Sequence, residues 1–373
     1  MKRPKAVLSF VVIVVLLLVA ACQPASSTQP SPTAAAPSAA TPAATKPAAA
    51  GTSAPSAGRM QQLYEAAKKE GEVVLNVATT IEDFQAIFDN FQKAFPGVKI
   101  NPISVSAPAV PPRIITEYGA NAVTIDVSFG SIGSLTPLIE RDLMETLDWS
   151  GLDLANPKDV LLGGKALKVY DSPWVFFYNK KSVPEAEAPR TWEDLLDPKW
   201  KGKINIHRSP VNLSTLPFAW GEQRARDYME KLAKQQIIPG ARGAEILDRI
   251  TRAEALIGVE TLQSIMAAIR QGAPLEIAAI SPQFGLSTSA TTFKRAPHPN
   301  AARLLMAWLG TADGKKSLVA SNRESATPCN ASAQAQFLCD KKIELVYEDT
   351  VEKAMLSAKL REEYAKILGF TAQ

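Results

Sequence analysis

The sequence predicts an α/β fold arranged as two lobes, and three observations predict it. Apolar runs of strand length alternate with amphipathic helical stretches between residues 63 and 129. The same alternation resumes between residues 174 and 309. Residues 59–373 also form a chain long enough for one large or two medium domains. An open sheet of this kind binds ligands at the carboxyl ends of its strands.

The chain opens with Lys2, Arg3 and Lys5, then an apolar stretch from Ala6 to Ala21 broken only by Ser9, the charge-then-apolar order of a secretory signal. At 16 residues the stretch is shorter than the roughly 20 a helix needs to span a bilayer. Val19-Ala20-Ala21-Cys22 resembles the lipobox of bacterial lipoproteins, which implies a signal peptide over 1–21 and a mature chain attached to the membrane through lipidated Cys22. Residues 22–58 are nearly all Ala, Pro, Ser, Thr and Gly, too poor in apolar bulk to offset the entropy of ordering, so they read as a disordered tether. Losing Lys2, Arg3 and Lys5 with the signal leaves 38 basic against 37 acidic residues, a balance that gives nucleic acid no footing.

Beyond the tether, Leu63, Tyr64, Ala67 and Lys68 belong to a short amphipathic helix ended by Gly71, and Val73 to Ala78 reads as a buried strand. Ile81, Phe84, Ile87, Phe88, Phe91 and Phe95 share one helical face, closed by Pro96-Gly97. A strand over Val98 to Val105 follows, then a helix from Pro111-Pro112 through Tyr118 and a third strand over Val123 to Phe129. Further on, strands are expected at Trp174 to Asn179, Lys203 to His207, Ala255 to Val259 and Leu275 to Ile280. Helical stretches are expected near 213–235, 242–252 and 299–309.

Several segments together carry a resemblance: LYEAAKKEGEVVLNVATT, FQKAFPGVKI, APRTWEDLLDPKWKGKI, RQGAPLEIA and FKRAPHPNAARLLMAWLGTADGKKSL. They are similar to extracellular solute-binding proteins of ABC importers, nearest the ferric-iron-binding-like subgroup, in order over nearly everything after the tether. The resemblance implies the type II periplasmic-binding fold, with crossing hinge strands between two lobes that close on a solute. Its expected division places 59–170 and 281–320 in lobe 1, and 171–280 and 321–373 in lobe 2. The implied partners are a small polar solute, expected to be anionic, and the transmembrane subunits of an ABC permease, with the binding protein a monomer.

The site is then read position by position. Thr79 and Thr80 follow the first strand, where they can line the cleft, cap the helix at Ile81, or do both. Ser128 and Ser131 follow the third strand, and hydroxyls and free N–H groups at a helix start suit a polar or anionic ligand, although capping accounts for them equally. In the second lobe Arg208, Ser209 and Asn212 lie between a strand and a helix, with Arg208 able to grip a carboxylate or phosphate or simply to be a solvated surface residue. Glu260 and Thr261 stand where iron binders of the family place adjacent tyrosines, and neither is tyrosine, so iron is kept only as the alternative function, with Tyr170, Tyr178 and carboxylates as the donors available. Trp174 is read as cleft floor or hinge packing, whereas Trp192 and Trp200 read as structural.

Enzymatic readings find little support. The chain has two histidines, His207 at a strand end and His298 before a helix, and neither belongs to HExxH. No P-loop, GxGxxG or GxSxG occurs, and the acidic pairs Glu193-Asp194 and Glu348-Asp349 read as solvated helix or turn. No catalytic residue, cofactor or metal is therefore expected. Cys329 and Cys339, ten positions apart in an exported chain, are expected to form a disulfide, with two free thiols as the alternative.

Overall fold

The computed structural model describes residues 55–370, with backbone alone for 55–57. The expected signal peptide, Cys22 and the tether as far as residue 54 lie outside these residues. The first helix runs Pro55–Ala67, so it begins inside the last four residues assigned to the tether. Proline suits a first helical turn because its missing N–H would have no partner there. Gly71, at φ +78, lets the chain leave toward the first strand.

Among the described residues eleven strands form a single hydrogen-bonded ladder: β1 (Glu72–Asn76), β2 (Lys99–Ile103), β3 (Val127–Gly130), β4 (Val160–Leu161), β5 (Ala166–Asn179), β6 (Ile204–His207), β7 (Ile238–Gly240), β8 (Ile257–Thr261), β9 (Leu275–Ile277), β10 (Gln283–Thr292) and β11 (Leu345–Tyr347). The main path is β2-β1-β3-β10-β5-β8-β6-β7, with β11 on β10, and β4 and β9 on β5. The strands flanking each end pair in parallel, whereas β10 and β5 run antiparallel to each other and to β3 and β8 respectively.

Cores lie on either side of this crossing pair. One set draws on residues 67–170 and 290–318, where Leu75, Phe84, Phe91 and Leu305 are fully buried. The other draws on residues 175–280 and 326–370, around Phe176, Trp192, Ile257 and Tyr364. The face Phe84, Ile87, Phe88, Phe91 and Phe95 is buried as its spacing requires, each side chain contributing on the order of 1.5–3 kcal/mol of transfer free energy. Strand β5 carries Leu167 and Val169 into the first core and Phe176 and Tyr178 into the second. The C-terminal helix, Val351–Ile367, packs on Ile132–Glu140 of the first lobe and on Val211–Ser214 and Glu222–Ala233 of the second.

Some expected elements differ for identifiable reasons. The third strand begins at Val127 rather than Val123, because the buried Asp126 carboxylate takes the Val74 N–H at 2.7 Å. The helical stretch near 213–235 splits into Val211–Ser214, Pro217–Trp220 and Glu222–Ala233, broken at Pro217 and at Gly221 with φ +83. His298 does stand at a helix start, but it is half-buried, its Nδ1 2.8 Å from Asp126. Glu348 is not solvated: it is 9 % exposed and accepts hydrogen bonds from Ser357 and Arg361. Cys329 and Cys339 form the expected disulfide.

Candidate functional site

The ladder's register aims the ends of two strand sets at one another. Strand β3 reaches Gly130 opposite Ser289 of β10, and it runs toward the start of β10. Strand β8 reaches Thr261 opposite Trp174, itself opposite Phe284, and runs the other way. The carboxyl ends of both sets therefore point into the stretch of β10 between Phe284 and Ser289, roughly 17 Å at the usual strand rise. Ser172 and Trp174 of β5 and Leu286, Ser287 and Thr288 of β10 are half-buried along this stretch, as befits a cleft floor.

Residues of the second lobe gather at its rim. His207 ends β6, and its Nε2 lies 3.0 Å from Glu260 Oε2 at the end of β8. Glu260 is 5 % exposed, and its other oxygen accepts the Thr261 N–H at 2.9 Å. The Trp174 ring meets the imidazole edge-on, centroids 4.7 Å apart, while its Nε1 is buried with no hydrogen-bond partner among the described residues. Thr261 caps helix Leu262–Arg270 by accepting the Ser264 N–H, and its hydroxyl donates to Ser264 Oγ. Arg208 and Ser209 are exposed on the following loop, and Asn212 is buried at 2 % with both amide atoms unpartnered among the described residues.

On the first lobe, Thr79 and Thr80 are exposed after β1; Thr80 occupies the cap position before Ile81–Phe84 without bonding through its side chain. Ser131 caps Ile132–Glu140 by accepting the Ser134 N–H at 3.2 Å. Ser128 is fully buried and accepts from Asn76 Nδ2 at 3.0 Å, which occupies its hydroxyl inside the lobe. The structure thus brings Trp174, Glu260 and Thr261 together around His207, leaves Thr79, Thr80, Arg208 and Ser209 on exposed loops at strand ends, and commits Ser128 and Ser131 to local bonds. His207, which the sequence leaves open as a core or a cleft residue and which is not among the expected ligand-binding residues, lies at the cleft rim, at the end of a strand leading into Arg208-Ser209.

Behind the floor lies a buried polar network. Asp171 of β5, fully buried, accepts the Ser287 hydroxyl at 2.6 Å and the Ala326 N–H at 2.8 Å, with Lys168 Nζ at 3.5 Å. Gln263 and Gln334 both donate to the Asp171 carbonyl. Lys315 bridges to Asp159 at 2.7 Å, and burial pulls its ammonium below the usual lysine range.

The sequence profile of the bacterial extracellular solute-binding proteins matches residues 86–345, most of the chain. The chain belongs to this family. Among solved structures, iron-bound HitA of Pseudomonas aeruginosa superposes with a TM-score of 0.65 at 16% identity, over 80% of this chain and 99% of HitA. AfuA of Actinobacillus pleuropneumoniae, with fructose-6-phosphate bound, gives 0.62 at 20% identity over 81% of this chain and 100% of AfuA. Trichodesmium FutA with iron and citrate gives 0.63 at 20% over 81% and 100%. At such identities these likenesses show the fold, a two-lobed type II periplasmic-binding architecture with β5 and β10 as crossing strands. A Haemophilus influenzae protein described only as uncharacterized is 29% identical over 144 residues, and the match spans 40% of that relative's length.

Within this solute-binding family the tyrosines bear on the iron alternative. Tyr170 is packed in the first lobe's core and Tyr178 in the second's, eight residues apart on one strand, about 26 Å at the usual rise. Burial raises the pKa of both above the ordinary tyrosine range, opposing the phenolate a ferric ligand needs. They form no pair. Among the described residues no three His, Cys, Asp or Glu come together as a metal cluster, and no helix is long and apolar enough to cross a membrane.

Proposed function

We propose that this protein is the substrate-binding component of an ABC importer, which captures a small polar solute between its lobes and delivers it to a membrane permease. The observation that carries the reading is the convergence of two sets of strand ends on the β5–β10 floor. Thr79 and Thr80 supply the first lobe's face; His207, Arg208, Ser209 and Thr261 supply the second's, above Trp174, with Glu260 behind His207. Lobes 59–170 with 281–320, and 171–280 with 321–373, move about the crossing strands, and a solute's preference for the closed form drives the motion. The protein acts as a monomeric receptor and not as an enzyme. It is held outside the cytoplasm by lipid on Cys22, the reading supported by Val19-Ala20-Ala21-Cys22.

Small-angle scattering with and without a metabolite panel tests the capture step. A solute that binds is expected to reduce the radius of gyration; identical curves across the whole panel would remove the reading. For the anchor, Cys22→Ser is expected to move the protein from the membrane fraction to the soluble fraction, and unchanged fractionation would remove the lipid. An organic solute is favoured over bare ferric ion by the separation of Tyr170 from Tyr178 and by Glu260-Thr261, both of whose side chains are already engaged.

A further inference from the structure

We propose that His207 is the residue of the second lobe that recognises the solute, and that it does so as a hydrogen-bond acceptor for a hydroxyl group on a polyhydroxylated solute, with Glu260 as its positioning residue. The inference rests on the cleft being a solute site, as proposed above.

Glu260 cannot itself be the contact. It is 5 % exposed, one oxygen takes the Thr261 N–H and the other faces the imidazole. Room for that carboxylate is reserved by Gly243, where an ideal Cβ would collide with it. An ionised carboxylate only accepts hydrogen bonds, so the imidazole nitrogen facing it, Nε2, carries the proton. In the neutral ring Nδ1 is then left with a lone pair. The Trp174 ring packs edge-on against the imidazole, the His207 side chain is 18 % exposed, and Nδ1 has no partner among the described residues.

That rim suits a hydroxylated solute better than a cation. A metal ion would meet one lone pair, with no cluster of three His, Cys, Asp or Glu among the described residues to complete its shell. The unpartnered polar group packed beside the imidazole is neutral: the Trp174 Nε1–H, a donor. An acceptor on one ring and a donor on the ring packed against it match a hydroxyl group, which donates to the first and accepts from the second. Free sugars and sugar phosphates share that chemistry, and the test separates them.

The two histidines make the protein suited to 15N-histidine NMR. His207 is expected to show the Nε2–H tautomer, with His298, bonded through Nδ1 to Asp126, as internal reference. Titrations use fructose, fructose 6-phosphate, inorganic phosphate, succinate and ferric ion. Fructose or fructose 6-phosphate is expected to bind, shifting His207 Nδ1 while leaving His298 in place; the pair reports whether the phosphate is required. His207→Phe is expected to weaken that binding by about tenfold or more, and His207→Gln, which keeps a donor for Glu260 and an acceptor for the solute, to restore it to within about threefold. Glu260→Gln, which can donate to Nε2, is expected to populate the other tautomer and weaken binding alike. Because the tautomer and the Nδ1 shift are read on the unaltered protein, a poorly folding His207→Phe leaves the test intact. The proposal is overturned by the Nδ1–H tautomer in the free protein, by an unmoved Nδ1 when a hydroxylated probe binds, by tighter binding of phosphate, succinate or ferric ion, or by no binding of either sugar. In each of these cases lobe closure by another metabolite would leave the importer reading standing.

Discussion

Gly243 leaves its space to the Glu260 carboxylate, and through it to the placement of His207. Gly243→Ala is expected to force Glu260 aside and destabilise the fold by about 1–3 kcal/mol, the usual cost of overpacking. Gly119→Ala, with nothing within 4 Å of the added carbon, is the control, expected within about 1 kcal/mol of the parent. Equal denaturation midpoints for the two variants would contradict the steric account. A second residue sets an acid limit. Hydrogen bonds from Lys165, then Lys294, hold the Asp142 carboxyl down at about 2, from 3.8. A depressed acid stabilises the fold above its unfolded value, and that stabilisation is lost as pH falls through the folded one. Asp142→Asn is therefore expected to show less loss of melting temperature between about pH 4 and pH 2 than the parent, by roughly a degree or two at so exposed a site. At this scale the sequence showed which strand ends would carry polar side chains, but not how those side chains would spend their bonds. Ser128 and Ser131 look alike in the chain; one is buried against Asn76 and the other caps a helix. His207 becomes legible only once β6 and β8 are known to be neighbours.

Strands with an apolar face were legible because burial demands a pattern the chain displays: Val73 and Leu75 in β1, Phe176 and Tyr178 in β5. Strand β10 was not, since GlnPheGlyLeuSerThrSerAlaThrThr offers little apolar periodicity. It is a strand because it is paired along its length by β3 and β5, a tertiary reason that propensity cannot express. The first half of β5 escaped for the same cause, with Lys168 and Asp171 occupied by the buried network. The C-terminal helix carries Ala354, Ser357, Leu360 and Tyr364 at helical spacing, but it packs on both lobes, so no single apolar stripe announces it. The disulfide acts at this scale. It closes residues 329–339, which begin three residues after the Ala326 N–H that donates to the Asp171 carboxylate, and whose Gln334 amide donates to the Asp171 carbonyl. Replacing both cysteines by serine is expected to cost about 2–3 kcal/mol by loop closure. It should also speed amide exchange at Ala326, and protection unchanged there would detach the disulfide from the hinge.

Two cores with shared crossing strands raise the question of how the molecule unfolds. Were the lobes separable, each would melt alone. The connections argue otherwise: β5 contributes to both cores, β10 pairs with strands on either side, and the C-terminal helix touches elements of both lobes. Its Arg361 and Ser357 bond Glu348, and Ser357 also meets Ser214 at 2.7 Å, so the helix ties second-lobe polar groups to a carboxylate beside Gly133 of the first. Losing either lobe would strip partners from buried groups in the other, including Asp171, at a cost of several kcal/mol for an uncompensated charge. One calorimetric transition is the expected outcome. Phe91→Ala in the first core and Leu360→Ala in the second, both nearly or fully buried, should each remove about 2–5 kcal/mol and lower the same transition. Two resolved transitions, with each substitution moving only its own, would mean that the crossing strands link independent lobes, and that closure on a solute is a docking of two separately stable bodies.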